Sequence, residues 1–252
     1  MNFEPRSGML LDIETESVCK MEVRENSEYR WMVGSDGVIH GVMDKKDPFT
    51  PVTSYLQAML TALALHPNAK SLLSLGLGCG SLERYLAQAF PHIGITTVEV
   101  SQARIDQVMS HFSLPEKVVL VTENAVDYVE NCAGDFDVIF CDIFGSIENP
   151  CQNQSERFYE NCMQSLTRNG VFVINFTSTQ YEPLVDTLVK VRKHFKATGL
   201  LEVPGHSNVI VFACLWDRCA KQTIDVTSSA EHEHGHPVRA RLNEIYWLPR
   251  SN

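Results

Sequence analysis

The chain has 252 residues, 44% of them apolar, and a formal net charge of −10. That length can bury a sizeable core and fits one large domain with an appendage. The acidic balance argues against a nucleic-acid backbone as partner, because phosphate neutralisation needs clustered Lys and Arg, whereas an acidic surface attracts a cationic substrate such as a polyamine.

Residues 1–18 carry little pattern. Next, 19–24 alternates in polarity, 29–33 is strand-like, and Asp36-Gly37 suits a tight turn before 38–42. Together these predict a small antiparallel β unit. Pro48 and Pro51 punctuate a linker into a helix over about 52–65, with Leu56, Met59, Leu60, Leu63 and Ala64 at helical spacing. From Lys70 onward strands and helices alternate. Strands are predicted at 71–76, 95–99, 118–122, 137–142 and 171–176, and helices at 81–90, 101–111, 155–167 and 181–195, with a short one near 125–131. Such alternation produces βαβ crossovers and a parallel sheet with helices on both faces. The strands at 198–203 and 208–215 are separated by Pro204-Gly205-His206-Ser207. Four residues cannot hold a crossover, so these two should pair antiparallel.

The expected fold class is therefore α/β: a doubly wound, mostly parallel, seven-stranded Rossmann-like sheet of the methyltransferase type. Its last strand is antiparallel, and the β unit precedes it. By element, 1–50 is the β unit and linker, 51–217 the Rossmann-like domain, and 218–252 a partly irregular tail in which Tyr246-Trp247-Leu248 docks on the domain. The tract Glu231-His-Glu-His-Gly-His236 holds metal-type ligands, but its Gly/Pro flanks and the lack of partner ligands favour a loop, so no metal is expected. Eight cysteines stand at 19, 79, 132, 141, 151, 162, 214 and 219 with no CxxC pair, which reads as reduced thiols in a cytoplasmic protein. No apolar run approaches the ~18 residues of a membrane span, and no signal-like segment opens the sequence, so no membrane partner is expected.

The chemistry concentrates in two places. An apolar strand runs into Gly76-Leu-Gly-Cys-Gly80, and a second apolar strand ends in Glu99, 23 residues after Gly76. Glycines allow a tight turn and close ligand approach, and a carboxylate at the second strand end can accept both hydroxyl hydrogens of a ribose. The pair describes a nucleoside pocket. It requires Glu99 beside the turn and not locked on a neighbouring arginine. Asp142 ends the fourth strand, at the mouth of the sheet where ligands bind. It is either a base for an amine or hydroxyl or a simple loop cap. Asn175 and Thr177, ending the fifth strand, either bond a substrate or satisfy the loop. Phe144 and Tyr181 are candidate pocket walls, packing being the alternative. The Cys79 thiol is either reactive or space-filling.

On these residues, with Val98-Glu99-Val100, Glu123-Asn-Ala125, 136–142, 169–173 and Val203-Pro204, the chain resembles the spermidine synthase-like family of polyamine aminopropyltransferases and their relatives. The likeness runs from about Met21 to Leu215. It implies an adenosine-sulfonium cofactor, either S-adenosylmethionine or its decarboxylated form. Gly76, Gly78, Cys79 and Gly80 would line the cofactor chain, Glu99 and Val100 would hold the ribose, and Asn124 and Ala125 would meet the adenine. Asp142 would anchor or deprotonate the acceptor amine. The resemblance also implies a homodimer through the β unit. Two acids usual in the synthases are replaced, by Cys79 in the turn and by Gly145 three residues after Asp142. A buried ammonium without counter-charge is heavily penalised. The reading is thus a spermidine synthase-like transferase moving a methyl or aminopropyl group to a small, amine-type acceptor, with methyl transfer put first. Aminopropyl transfer is the alternative, followed by a non-catalytic nucleoside-binding descendant. The Gly-x-Gly-x-Gly spacing and the reversed last strand count against a dinucleotide oxidoreductase.

Overall fold

The computed structural model describes residues 4–14, 20–132, 134–143, 155–177, 181–217 and 241–249. Four antiparallel strands form the first sheet in sequential order: β1 (Met9–Glu14), β2 (Met21–Glu25), β3 (Tyr29–Gly34) and β4 (Ile39–Asp44). β1 falls where the sequence shows little pattern. Met9, Leu10 and Ile13 are exposed there, so an edge strand formed without the inward/outward alternation that reveals strands in sequence. The β3–β4 turn is the expected one. Gly37 has φ +80°, and the Asp36 carboxylate accepts the Val38 N–H at 2.9 Å.

This small sheet is not a free-standing appendage. Met21, Val23, Met32 and Met43 pack with Leu77, Cys79, Ile105, Val108, Phe112 and Leu114 in one cluster, while Trp31, Val33 and Val42 form a separate cluster. The period-two alternation of β2 and β3 presses one face of the unit onto the glycine turn and the helix after Glu99.

The predicted helix over 52–65 is broken into α1 (Ser54–Met59) and α2 (Ala62–Leu65). Bonds from Thr61 N–H to Ala58 and from Leu63 N–H to Leu60 tighten the chain at the break. The main sheet then alternates as expected: β5 (Ser71–Leu75), α3 (Ser81–Ala89), β6 (Gly94–Glu99), α4 (Gln102–His111), β7 (Val119–Thr122), α5 (Ala125–Asn131), β8 (Phe136–Cys141), α6 (Glu156–Gln164), β9 (Leu166–Thr177), α7 (Glu182–Val191), β10 (Ala197–Glu202), β11 (Asn208–Cys214) and β12 (Tyr246–Trp247). α6 stops three residues before the predicted end, and β9 starts five residues early. Ser165 takes a helical cap conformation, its carbonyl accepts the Phe136 N–H, and Leu166 pairs with Phe136 across the sheet.

The strand order is β12-β10-β11-β9-β8-β5-β6-β7. The pairs β5–β6, β5–β8, β6–β7 and β8–β9 are parallel, and β11 inserts antiparallel between β9 and β10. The sheet has eight strands rather than seven, because the tail adds β12, pairing Trp247 with Gly199 and Tyr246 with Leu200. Alternation along the strands feeds two cores. Val138, Phe140, Val171 and Val173 meet α1, α2 and α3 on one face, while Ile139, Cys141, Phe172 and Ile174 meet α5, α6 and α7 on the other. Both faces are covered, the doubly wound arrangement. No helix among the described residues is long and apolar enough to cross a membrane. Cys79, Cys132 and Cys162 carry free thiols. Cys19, Cys151, Cys219, Phe144, Gly145 and the His-rich tract lie outside the described residues.

Candidate functional site

The carboxyl ends of β5, β6, β8 and β9 meet at one edge, and the predicted residues gather there. Gly76, Gly78 and Gly80 all have positive φ, at +95°, +54° and +71°. At Gly76 a Cβ would stand 2.5 Å from the Asp142 carbonyl oxygen, so the turn closes directly onto the end of β8. The glycine there serves the protein's own close packing. The β unit approaches as tightly. A Cβ on Gly41 would lie 2.4 Å from the Cys79 sulfur. Arg84, fully buried, locks the turn from below. Its guanidinium donates to the Cys79 carbonyl, to the Ser81 hydroxyl at 3.0 Å and to the Pro48 carbonyl at 2.8 Å.

Cys79 is buried with its sulfur 3.2 Å from the Ser81 hydroxyl, inside the apolar cluster under β2–β4. The side chain fills space between the two sheets, so Cys79 can meet a ligand only through its main chain. Of the two readings of the thiol, reactive or space-filling, this packing is the space-filling one.

Glu99 is where the sequence put it, and it is not free. Its Oε2 accepts the Leu77 N–H of the turn at 3.4 Å, and its Oε1 accepts the Ser101 N–H at 3.0 Å. It is 4% exposed and paired with Arg104, whose Nη1 lies 3.3 and 3.4 Å from the two oxygens. The adjacency to the turn is met. The condition that no arginine hold the carboxylate is not, so ribose binding at Glu99 would require this ion pair to yield. Arg104 Nε is buried and without a hydrogen-bond partner. Burial, followed by the Arg104 charge, pushes the pKa of the neighbouring His40 imidazole down.

Asn124 caps α5, its side-chain oxygen accepting the Val126 N–H at 2.8 Å, which leaves one lone pair for an outside donor. Ala125 opens the same helix and is half-buried. Val100, directly after β6, is 64% exposed, and Tyr181 is 82% exposed at the start of α7. At that exposure Tyr181 is neither packed nor enclosed among the described residues. It precedes the amphipathic helix instead of sitting on its inward face.

Asp142 has the most developed surroundings. Its main-chain N–H binds the Leu75 carbonyl at 2.9 Å, tying the end of β8 to β5. Its Oδ1 accepts the Asn175 amide at 2.7 Å, and the Tyr55 hydroxyl donates to the same carboxylate. Asn208 in turn donates to the Asn175 oxygen at 2.8 Å and to the Thr177 hydroxyl at 2.9 Å. Burial pushes the Asp142 carboxyl up to about 6, against the lowering effect of the two neutral donors. Burial also pushes the Tyr55 phenol well above its ordinary value, with Asp142 adding to it. Asn175 is 5% exposed, whereas Tyr55, Asp142, Thr177 and Asn208 keep partial access, so the cluster is buried at its root and open at its rim. A carboxylate poised near neutral pH at an open rim can take a proton from an attacking amine or hold an ammonium.

Sequence reasoning named Asp142, Asn175 and Thr177 and missed Tyr55, Asn208, Arg84 and Arg104. Arg104 alone carried a local signal, lying one helical turn past the strand-end acid.

Residues 54–216 match the Spermine/spermidine synthase domain. The chain is 30% identical over 205 residues to a polyamine aminopropyltransferase of Chromobacterium violaceum, covering 79% of this chain and 77% of the relative. It is 29% identical over 190 residues to a polyamine aminopropyltransferase of Neisseria meningitidis, covering 72% and 70%. The crystal structure of a probable spermidine synthase from Corynebacterium glutamicum superposes with a TM-score of 0.75 at 16% identity, covering 97% of this chain and 91% of that one. Human methyltransferase-like protein 13 superposes with a TM-score of 0.60 at 22% identity, covering 68% and 84%. These two structural likenesses concern the fold.

Proposed function

The chain belongs to the spermine/spermidine synthase family, and on that premise we propose that it transfers an aminopropyl group from decarboxylated S-adenosylmethionine to an amine. The observation that carries the reading is the Asp142 cluster, a carboxylate near neutral pKa built onto the glycine turn inside the matched domain. The relatives favour this group over methyl, the choice the sequence reading put first.

The Leu77 main chain and Asn124 suit the nucleoside half of the donor, whereas Glu99 as it stands is engaged by Arg104. Leu77, Glu99 and Asn124 stand at adjoining strand ends, with Glu99 available once Arg104 is displaced. The donor supplies a carbon made electrophilic by sulfonium, and its sulfur departs as a neutral thioether that needs no acid. What the protein must do is align an unprotonated amine and remove a proton. Alignment supplies much of the rate, and Asp142, held by Asn175 and Tyr55, is placed to receive the proton. Methyl transfer remains a second reading on one observation: the turn's side chain at 79 is a packed thiol, leaving the donor's ammonium without an acid there.

The test is product analysis. Decarboxylated adenosylmethionine with an amine should yield methylthioadenosine, while adenosylmethionine should yield no adenosylhomocysteine. The reverse pattern establishes methyl transfer. No turnover together with tight nucleoside binding makes the chain a silent descendant. Self-association through the β unit is carried over from the family resemblance. Sedimentation as a monomer at micromolar concentration would remove it.

A further inference from the structure

We propose that the groove between β1 and α4 is a second binding site, whose ligand is a flexible oligoamine. It lies outside the Asp142 cluster and the glycine turn, and the inference does not depend on the transferase reading.

β1 is the edge strand of the small sheet, and from Asp12 onward it pairs regularly with β2, Asp12 opposite Val23 and Glu14 opposite Met21. Residues paired directly across two strands share a face. Met21 and Val23 pack on that face with Ile105 and Val108 of α4. The face that β2 fills with apolar side chains therefore carries two carboxylates on β1. α4 supplies the other wall, with Ala103, Asp106, Gln107 and Ser110 at helical spacing along one side. The cavity between the walls is about 260 Å³, just under the size of a drug-type pocket.

The Asp12 Oδ1 accepts the Ile13 N–H at 2.8 Å, and its Oδ2 lies 3.2 Å from His111 Nε2. The Asp106 Oδ1 accepts the Gln102 amide at 2.9 Å. With about four lone-pair sites on each carboxylate, both keep room for an ammonium. Glu14 is 5% exposed. Gln107 gives the independent signal. Its side chain lines the groove at 4% exposure, its amide nitrogen donates to the Met21 carbonyl at 3.3 Å, and its Oε1 has no partner. A buried acceptor without a donor is costly, and an N–H arriving from a ligand removes that cost.

Spacing names the ligand class. Among the described residues no three acids, histidines or cysteines are placed to hold one metal ion. The acceptors are strung out instead. Residues two apart on a strand, as Asp12 and Glu14 are, stand about 7 Å apart, and one helical turn, as from Asp106 to Ser110, rises about 6 Å. Ammoniums joined by three- or four-carbon chains are spaced alike, and each brings three donors and no acceptor. The described residues lining the groove include no Lys or Arg, and residues 15–19, next in sequence after Glu14, include none either.

The probe is spermidine, titrated by calorimetry into the full chain and into Asp142→Asn, which removes the carboxylate of the catalytic edge. The groove event should persist in Asp142→Asn. Asp106→Asn, at an exposed position of α4, and Glu14→Gln should each weaken it roughly tenfold. Linked ammoniums bind cooperatively, so affinity should fall roughly tenfold from spermidine to 1,4-diaminobutane and again to 1-aminobutane. Unchanged spermidine affinity in folded Asp106→Asn overturns the inference, and this variant decides alone should Glu14→Gln not fold. Equal affinity for the three amines, or displacement of spermidine by Mg²⁺ at matched ionic strength, also overturns it. The acids would then serve only to guard an edge strand against pairing. Failure of the transferase assay leaves this titration untouched.

Discussion

At the scale of single residues the proposed function turns on Asp142, whose charge is set by burial and two neutral donors and not by a paired cation. Asp142→Asn keeps the shape and removes the proton acceptor. Turnover should fall by roughly 10²–10⁴-fold, with methylthioadenosine affinity changed less than threefold. The acid limb of the kcat/KM profile, centred near 6 in the unmodified protein, should vanish with it. Unchanged turnover would assign Asp142 to loop capping. Arg104 offers the opposite experiment. Its pair with Glu99 is long but mostly buried, with 17% of the arginine and 4% of the carboxylate side chain exposed, so breaking it costs more than breaking a surface pair does, about 1 kcal/mol or above. Arg104→Ala leaves Glu99 the Leu77 and Ser101 N–H donors, and calorimetry should record about fivefold tighter nucleoside binding. Weaker binding would mean that the guanidinium is itself a ligand contact. Glu99→Ala should abolish binding. The sequence exposed Asp142, Asn175 and Thr177 because each ends an apolar strand. It could not expose Tyr55, 87 positions before Asp142 in the chain, nor Asn208, since only the closed sheet brings either to the cluster.

At the scale of elements the alternation of strands and helices from Lys70 to Cys214 was legible because each strand is an apolar run and each helix has an apolar stripe. What was not legible lacks such a pattern. β1 exposes its apolar residues, and β12 is two residues long, held by its pairing with β10. The other hidden feature is how closely the β unit presses on the glycine turn. Gly41 reads as an unremarkable strand residue, yet nothing larger fits over the Cys79 sulfur. Gly41→Ala should therefore cost roughly 1–3 kcal/mol by overpacking, seen as a lowered melting temperature. It should also weaken methylthioadenosine binding, because β4 and the turn move apart. A variant that melts normally and binds normally would show that the two sheets are not coupled through this contact.

At the scale of the whole molecule, buried acids set how stability follows pH. Glu83 of α3 lies 1% exposed against the sheet, where the Thr97 hydroxyl donates to its Oε1 at 3.1 Å while its Oε2 is unpartnered. Burial pushes its carboxyl up from 4.5 to about 7, outweighing the hydrogen bonds that lower it, a main-chain one and that of Thr97 among them. Burial raises Asp142 in the same sense, to about 6. A carboxyl whose pKa is higher folded than unfolded favours the folded state at low pH, and that advantage is lost as pH climbs through the folded value. For Glu83 the loss runs from about 4.5 to about 7 and amounts to roughly 3 kcal/mol. Glu25, Asp137 and Glu156 work oppositely. Arg30 first among the partners of Glu25, main-chain Lys70 first for Asp137 and Lys193 first for Glu156 hold their pKa values down, so their contribution is lost as pH falls through those lowered values. The two tendencies cross, placing maximum stability at about pH 5 and a decline toward pH 8. Thermal melts from pH 4 to 8 should trace that shape. Glu83→Gln removes the titration and keeps a carbonyl for the Thr97 hydroxyl, so it should flatten most of the decline, raising the melting temperature at pH 8 and leaving it nearly unchanged at pH 5. An equal effect of the substitution at both pH values would mean that Glu83 does not titrate in this range and that the slope belongs to Asp142 or to groups elsewhere.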